Sequence, residues 1–217
     1  MTIQLSFIES RIIGCLLEKE ITTPDQYPLT LNALTSACNQ KSNREPVVQL
    51  SESDVQDGMQ QLMSRHLVSE LFLGSSRVAK YQHRFCNTEF GNLKFTQQEF
   101  AIICVLLLRG DQTPGELRTR TNRLCTFSNV TETEQVIAEL EARDLLVKLP
   151  REPGKRESRY AQLFTERELQ SYEQQCQPQE SVNDDSRMLA LEQEVVALRT
   201  ELELLKEKLA KCCEDER

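Results

Sequence analysis

The chain has 217 residues, 39% of them hydrophobic and 28% charged, with no Trp and a formal charge of −8. That balance fits one large or two small globular cores. It speaks against a membrane-spanning protein, because the longest apolar run, Ala101 to Leu108, falls short of the ~20 residues a span needs.

From the N-terminus, MTIQLSFIESR lacks the basic-then-apolar layout of a signal peptide, so the expected location is the cytoplasm. Ile8, Ile12, Ile13, Leu16 and Leu17 recur at helical spacing and predict an amphipathic helix ending near Glu20. Thr22, Thr23, Pro24 and Pro28 break it, and Leu29, Leu31, Ala33, Leu34 and Cys38 predict a second short helix. A long polar turn rich in Asn, Lys and Arg follows, with an extended exit at Pro46. Ser51 with Asp54 three residues on signals a third helix, with Val55, Met59, Leu62 and Met63 facing inward. Val68 to Leu73 and Val78 to Phe85, around Gly74-Ser75-Ser76, predict a β-hairpin.

The same order then returns. Gln97 to Arg109 matches the first helix, aligning Glu9 with Glu99 and Ile12-Ile13 with Ile102-Ile103. Thr113-Pro114-Gly115-Glu116 is a capping box with Pro at the first helical position. Ser128-Asn129 repeats Ser42-Asn43, and Glu132 to Arg143 predicts a third helix with Val136, Ile137 and Leu140 inward. Leu146 to Pro150 and Ser158 to Phe164 predict a second hairpin around Glu152-Pro153-Gly154. Tyr160 and Phe164 match Tyr81 and Phe85, and on alternating strands these aromatics are expected to seal each small core.

Three helices followed by a two-stranded hairpin is the winged-helix arrangement. The expected fold class is therefore mainly α with small β-hairpins: tandem winged-helix (helix-turn-helix) domains plus a C-terminal coiled-coil helix. Some other small helical bundle carrying hairpins is the competing architecture. The expected boundaries are residues 1–85 and 96–165 for the two domains, with a connector at 86–95. A short helix and flexible linker take 166–186, and a coiled coil takes 187–213.

The segments TTPDQYPLTLNAL, ACNQKSNREPV, SRVAKYQHRF, LLLRGDQTPGELRTRT and LPREPGKRESRYAQLF closely resemble the YceH family of bacterial proteins. The resemblance spans about Phe7 to Phe164 and implies a tandem winged-helix fold in a bacterial cytosol. It implies no catalytic residues, because the family's function is not established.

A DNA-binding winged helix lays its third helix in the major groove and its wing along the phosphates. Here the third helices are acidic: Glu52, Asp54 and Asp57 in one, Glu132, Glu134, Glu139 and Glu141 in the other. Base readout leans on Arg, Lys, Asn or Gln, so these helices do not suit it. The positive charge lies in the first turn, at Lys41 and Arg44, and on the first wing, at Arg77, Lys80 and Arg84. In the second copy it lies at Arg118, Arg120 and Arg123, and around the wing at Lys148, Arg151, Lys155, Arg156 and Arg159. These cations are the candidate phosphate contacts; the structural alternative is a solvated loop whose bases pair with neighbouring acids. The asparagines of the first turn are expected to serve its backbone, since Asn supports left-handed conformations.

Enzyme chemistry has little support. No Gly-rich phosphate loop, nucleophile elbow or His-centred triad is present. His83 aligns with Gln162, so a hydrogen-bonded hairpin position accounts for it. The eight cysteines include no CxxC pair and read as reduced thiols, with Cys15 and Cys104 filling matching apolar helical stretches. With only His66 and His83 beside them, neither a structural metal site nor a cofactor is expected.

The charge is uneven along the chain: 19 Lys and Arg face 20 Asp and Glu through Thr165, but 7 face 14 from Glu166 onward. The folded part is nearly neutral, so local patches decide what it binds. In the tail, Gln177 to Ser186 reads as a linker. Met188, Leu191, Val195, Leu198, Leu202, Leu205, Leu209 and Cys212 then form an a/d heptad seam. Its flanks pair Arg187 with Glu192, Glu194 with Arg199 and Glu201 with Lys206 across a parallel dimer, all attractively. A homodimer through Leu191, Val195, Leu198, Leu202, Leu205 and Leu209 is the expected state, against a single helix folding back on the domains. The expected function is a non-enzymatic, DNA-binding protein with a setting in transcription. The alternative is a protein-interaction module using its winged helices as docking surfaces.

Overall fold

The computed structural model describes residues 3–72, 78–89, 91–155 and 157–165. The chain divides into two units, Met1–Arg167 and Glu168–Arg217. The predicted linker and heptad seam, with Leu191, Val195, Leu198, Leu202, Leu205 and Leu209, lie outside the described residues, as do Arg77 and Arg156.

Among the described residues, six α-helices and two antiparallel strand pairs follow one another as three helices, a hairpin, three helices, a hairpin. Helix α1 (Phe7–Thr22) opens on a capping box in which Ser6 and Glu9 satisfy each other's backbone N–H groups. A single 3-10 turn, Pro24–Gln26, precedes α2 (Leu31–Cys38), which Thr30 caps. Helix α3 (Glu52–Ser64) carries the predicted Ser51–Asp54 capping box. Strands β1 (Val68–Leu71) and β2 (Lys80–His83) pair with Val68 opposite His83 and Leu71 opposite Lys80.

The second half repeats the plan with α4 (Gln97–Arg109), α5 (Pro114–Arg120) and α6 (Val130–Ala142). Strands β3 (Leu146–Lys148) and β4 (Tyr160–Gln162) complete it. Helix α6 starts two residues earlier than its charge pattern suggests, because Asn129 accepts the Glu132 N–H and caps it.

The repeat extends to individual contacts. Arg65 donates to Glu9 and to the Gln4 carbonyl; Arg143 donates to Glu99 and to the Lys94 carbonyl. Each third helix thus ends on an arginine that clamps the capping box of its own first helix. Positive-φ residues follow at matching places, His66 and Asp144. Leu29 pairs with Tyr81 as Gln112 pairs with Tyr160, tying each hairpin back to the approach to its second helix.

The two halves share one core rather than owning one each. Helix α1 packs on α4, and the contact is close because Gly14 faces it. A Cβ at Gly14 would lie 2.8 Å from Leu108 Cδ2 and 3.2 Å from Leu107 Cβ. The Cys104 thiol donates to the Gly14 carbonyl at 3.5 Å, and the Ser10 hydroxyl to the Leu107 carbonyl at 3.4 Å. In the register that aligns Ile12-Ile13 with Ile102-Ile103, Cys104 is therefore the counterpart of Gly14, not of Cys15.

Phe85 and Phe164, also counterparts, meet edge to face with centroids 5.0 Å apart. The aromatics predicted to seal separate cores instead close on each other. Both hairpins end at the seam, and one shared interior removes more apolar surface from water than two small ones. The seam is completed reciprocally: Leu5 N–H donates to the Phe164 carbonyl, and the Asn87 side chain brackets the backbone of Phe95.

Candidate functional site

The most distinctive stretch of the sequence, the polar turn between α2 and α3, is anchored at both ends. The Asn39 side chain donates to the Leu50 carbonyl and accepts from the Leu50 N–H, each at 2.8 Å, and Asn43 takes a left-handed φ of 58°. The asparagines hold the turn, as their chemistry predicts.

Arg44 corrects the expectation placed on it. Its side chain has no solvent exposure. Its Nε donates to the Ala37 carbonyl at the end of α2, Nη1 to the Asn43 carbonyl, and Nη2 to Glu18 at 2.7 Å and Gln40 at 3.1 Å. With four of its five N–H groups engaged and the side chain closed off from solvent, Arg44 cannot reach a phosphate and instead fastens α2 and the turn to α1. Lys19 and Arg123 also approach Glu18, at 3.4 Å and 3.6 Å. Burial pushes the Glu18 carboxyl up, but the bond and charge of Arg44, then Lys19 and Arg123, outweigh it and hold it below the usual range.

The turn also crosses to the second half. Glu45 N–H donates to the Leu108 carbonyl, and Arg109 donates to the Asn43 side chain at 3.3 Å. The Glu45 carboxylate lies 3.7 Å from Arg120, which pairs with Glu116 at 3.3 Å and donates to Gln112. Glu116 pairs with Arg159 at 3.2 Å, Arg159 approaches Glu152 at 3.7 Å, and Glu152 pairs with Lys155 at 3.4 Å. Arg159 also donates to the Asp111 carbonyl. A strip of alternating charge therefore runs from the first turn, over α5, to the loop of the second hairpin.

Of the predicted cations, Lys41, Arg118, Arg123, Arg151 and Lys155 are exposed. Arg118 donates to the Ser128 carbonyl. Arg120 and Arg159 are drawn into the strip, and Lys80 is half-buried. His83 shares a hydrogen bond with Glu20 at 2.8 Å. Among the described residues, no three His, Cys, Asp or Glu side chains are arranged to hold a metal, and no helix is long and apolar enough to cross a membrane.

Two features were not legible in the sequence. A cavity of about 470 Å³ opens at the seam, lined by counterpart pairs such as Ile3 with Leu93 and Phe85 with Phe164. Beneath the turn, Arg11 is buried, its Nη2 donating to the Pro46 carbonyl at 2.7 Å and its guanidinium lying 5.4 Å from the centroid of the Phe7 ring. The only hint in the sequence was an arginine inside an otherwise apolar helical face.

Residues 5–155 match the family model described as "Protein of unknown function, DUF480". The chain belongs to that family. The DUF480 protein is 69% identical over 167 residues to a UPF0502 protein of Vibrio cholerae serotype O1, covering 76% of this chain and 77% of that one. It is 57% identical over 213 residues to a UPF0502 protein of Aeromonas hydrophila, covering 97% and 98%. A UPF0502 protein of Vibrio vulnificus is 59% identical over 213 residues, covering 95% and 97%. The resemblance read from the motifs thus stands as membership of a bacterial family of unknown function.

Proposed function

We propose that this DUF480 protein is a non-enzymatic tandem winged-helix protein that binds DNA along the charged strip. The observation that carries this reading is the ion-pair chain from Glu45 through Arg120, Glu116 and Arg159 to Glu152 and Lys155. It connects cations of two sequence-distant segments into one surface, with Lys41, Arg118, Arg123, Arg151 and Lys155 exposed. Arginines held by carboxylates at a surface can exchange them for phosphates, because exposed ion pairs are worth little in water. Contact through the turn, α5 and the second wing suits phosphate tracking, and the acidic α3 and α6 stay out of the major groove.

Binding of mixed-sequence duplex DNA, followed by fluorescence anisotropy across a salt series, tests it. Affinity falls steeply with salt, and the quadruple variant Lys41→Glu, Arg118→Glu, Arg151→Glu, Lys155→Glu abolishes binding with an unchanged circular dichroism spectrum. Absence of binding at low salt eliminates the reading.

One observation favours a second reading, docking to another protein. The first wing carries Phe72 and Val78 with 62% and 56% of their surfaces exposed, and exposed apolar groups at a hairpin tip fit an interface better than a phosphate backbone. Under that reading Phe72→Ser weakens partner capture and leaves DNA out of account.

A further inference from the structure

The cavity at the seam carries two charges that the fold does not use. Its walls are built mainly from counterpart residues of the two halves: Ile3 with Leu93, Leu67 with Leu145, and Phe85 with Phe164. All six belong to the shared core or pack against it, so the space between them is apolar. At about 470 Å³ it falls within the range of small-molecule sites and has room for a body the size of an apolar dipeptide.

The internal repeat shows what the scaffold itself asks of these positions. Arg84 N–H donates to the Leu67 carbonyl at 2.7 Å, and Leu163 N–H donates to the Leu145 carbonyl at 3.0 Å. Arg84 and Leu163 therefore hold matching places at the ends of the two hairpins, and both line the cavity. One half meets it with a leucine, the other with a guanidinium. Asp144 lines it as well, at a left-handed φ of 54°, whereas its counterpart His66 does not. Arg84 and Asp144 are exposed, and among the described residues no hydrogen bond or ion pair engages either side chain. Arg143, the remaining charge on the wall, is already committed. Its Nη1 donates to Glu99 at 2.6 Å and its Nη2 to the Lys94 carbonyl at 2.9 Å, with the guanidinium 5.5 Å from the centroid of the Phe95 ring.

We propose that this cavity binds a small zwitterion with an apolar body, of the size of an apolar dipeptide, whose carboxylate pairs with Arg84 and whose ammonium group pairs with Asp144. A guanidinium holds a carboxylate through two parallel N–H bonds, and a carboxylate accepts from an ammonium group. The walls supply affinity by taking the apolar body out of water. The two charges supply selectivity: a fatty acid or an aliphatic amine meets one attraction and one repulsion here, and only a ligand with both charges meets two attractions. The site uses none of the residues of the charged strip, so it stands or falls apart from DNA binding.

Isothermal titration calorimetry of the full-length protein with leucyl-leucine tests it, beside the same peptide amidated at its carboxyl end or acetylated at its amino end. The wild type binds the free peptide, and each blocked form binds about tenfold more weakly, as expected for one lost charged hydrogen bond. Arg84→Gln binds the free peptide about tenfold more weakly and no longer tells it from the amide, yet still rejects the acetylated form. Asp144→Asn shows the reverse pattern, and Asn suits the left-handed backbone there. Both variants keep the wild-type melting temperature, since neither side chain has a partner to lose. Absence of binding by the wild type overturns the proposal, as does equal affinity for all three peptides, a comparison that needs no variant. A preference for the free acid over the amide that survives in Arg84→Gln overturns it too.

Discussion

The two halves of the chain are built on one plan and spend their buried positions differently. Both clamp the capping box of the first helix with an arginine from the end of the third, through Arg65 with Glu9 and Arg143 with Glu99. Both turn their hairpins onto the shared seam. Yet α1 buries Arg11, Cys15 and Glu18 where α4 buries Ala101, Val105 and Leu108. The first hairpin shows Phe72 and Val78 to solvent, whereas the loop of the second shows Arg151 and Lys155. What the halves share is the requirement of the fold. What they do not share is where function is to be sought.

Breaking that contrast has its largest effect at Glu18. Glu18→Ala strands Arg44, whose side chain is fully buried, and is expected to cost about 3–5 kcal/mol in urea unfolding. In an Arg44→Met background the same change costs far less, because no charge is left unpaired. The pH dependence has a definite sign. The folded Glu18 carboxyl sits below its ordinary value of 4.5, so the unfolded chain takes up the proton first. The Glu18 contribution is complete above about pH 5, by the ordinary carboxylate range, and disappears as pH falls through the folded value. The fall of melting temperature between pH 5 and pH 3 is expected to be shallower in Glu18→Gln.

The seam comes next. Phe85→Ala and Phe164→Ala are each expected to cost about 3–5 kcal/mol, as buried aromatics do. A double-mutant cycle between them returns a coupling of about 0.5–1.5 kcal/mol, since the rings meet each other. Additive effects would place the rings in separate cores after all. Gly14→Val drives a branched side chain into Leu107 and Leu108 and is expected to lose about 1–3 kcal/mol from overpacking. The smallest effect is at the caps. Ser6→Ala and Thr96→Ala each lose about 1 kcal/mol, and near-equal losses in thermal melts would show that the two capping boxes serve equivalent ends.

Legibility followed the range of the interactions. The repeat of the first helix's apolar pattern placed α4 at Gln97 to Arg109, and the Ser51 cap placed the start of α3, because it acts on an N–H three residues away. The Thr113–Glu116 capping box with Pro114 was readable for the same reason. The asparagines of the first turn could be read as structural, since Asn39 bonds Leu50 across the turn and Asn43 takes a left-handed φ, although the Arg109 bond to Asn43 could not be read. Nor could the role of Arg44. A cation in a polar loop reads as surface until something shows that Glu18, 26 residues earlier, lies beneath it. The basic residues of α5 and the second hairpin were likewise visible one by one, while the carboxylates that join them into a strip come from three separate segments.

The sequence by itself determined the order of helices and hairpins, their caps, and the fact that the plan occurs twice, because each rests on residues within a few positions of one another. Only the tertiary structure decided that the two copies close into one interior. That depends on Gly14 letting α1 approach α4 and on Phe85 reaching Phe164, contacts between residues 79 or more positions apart. It also decided which arginines are inside. Burial is a property of the assembled surface, and the Arg44 guanidinium is inside because two carbonyls and the Glu18 carboxylate have been brought together to receive it.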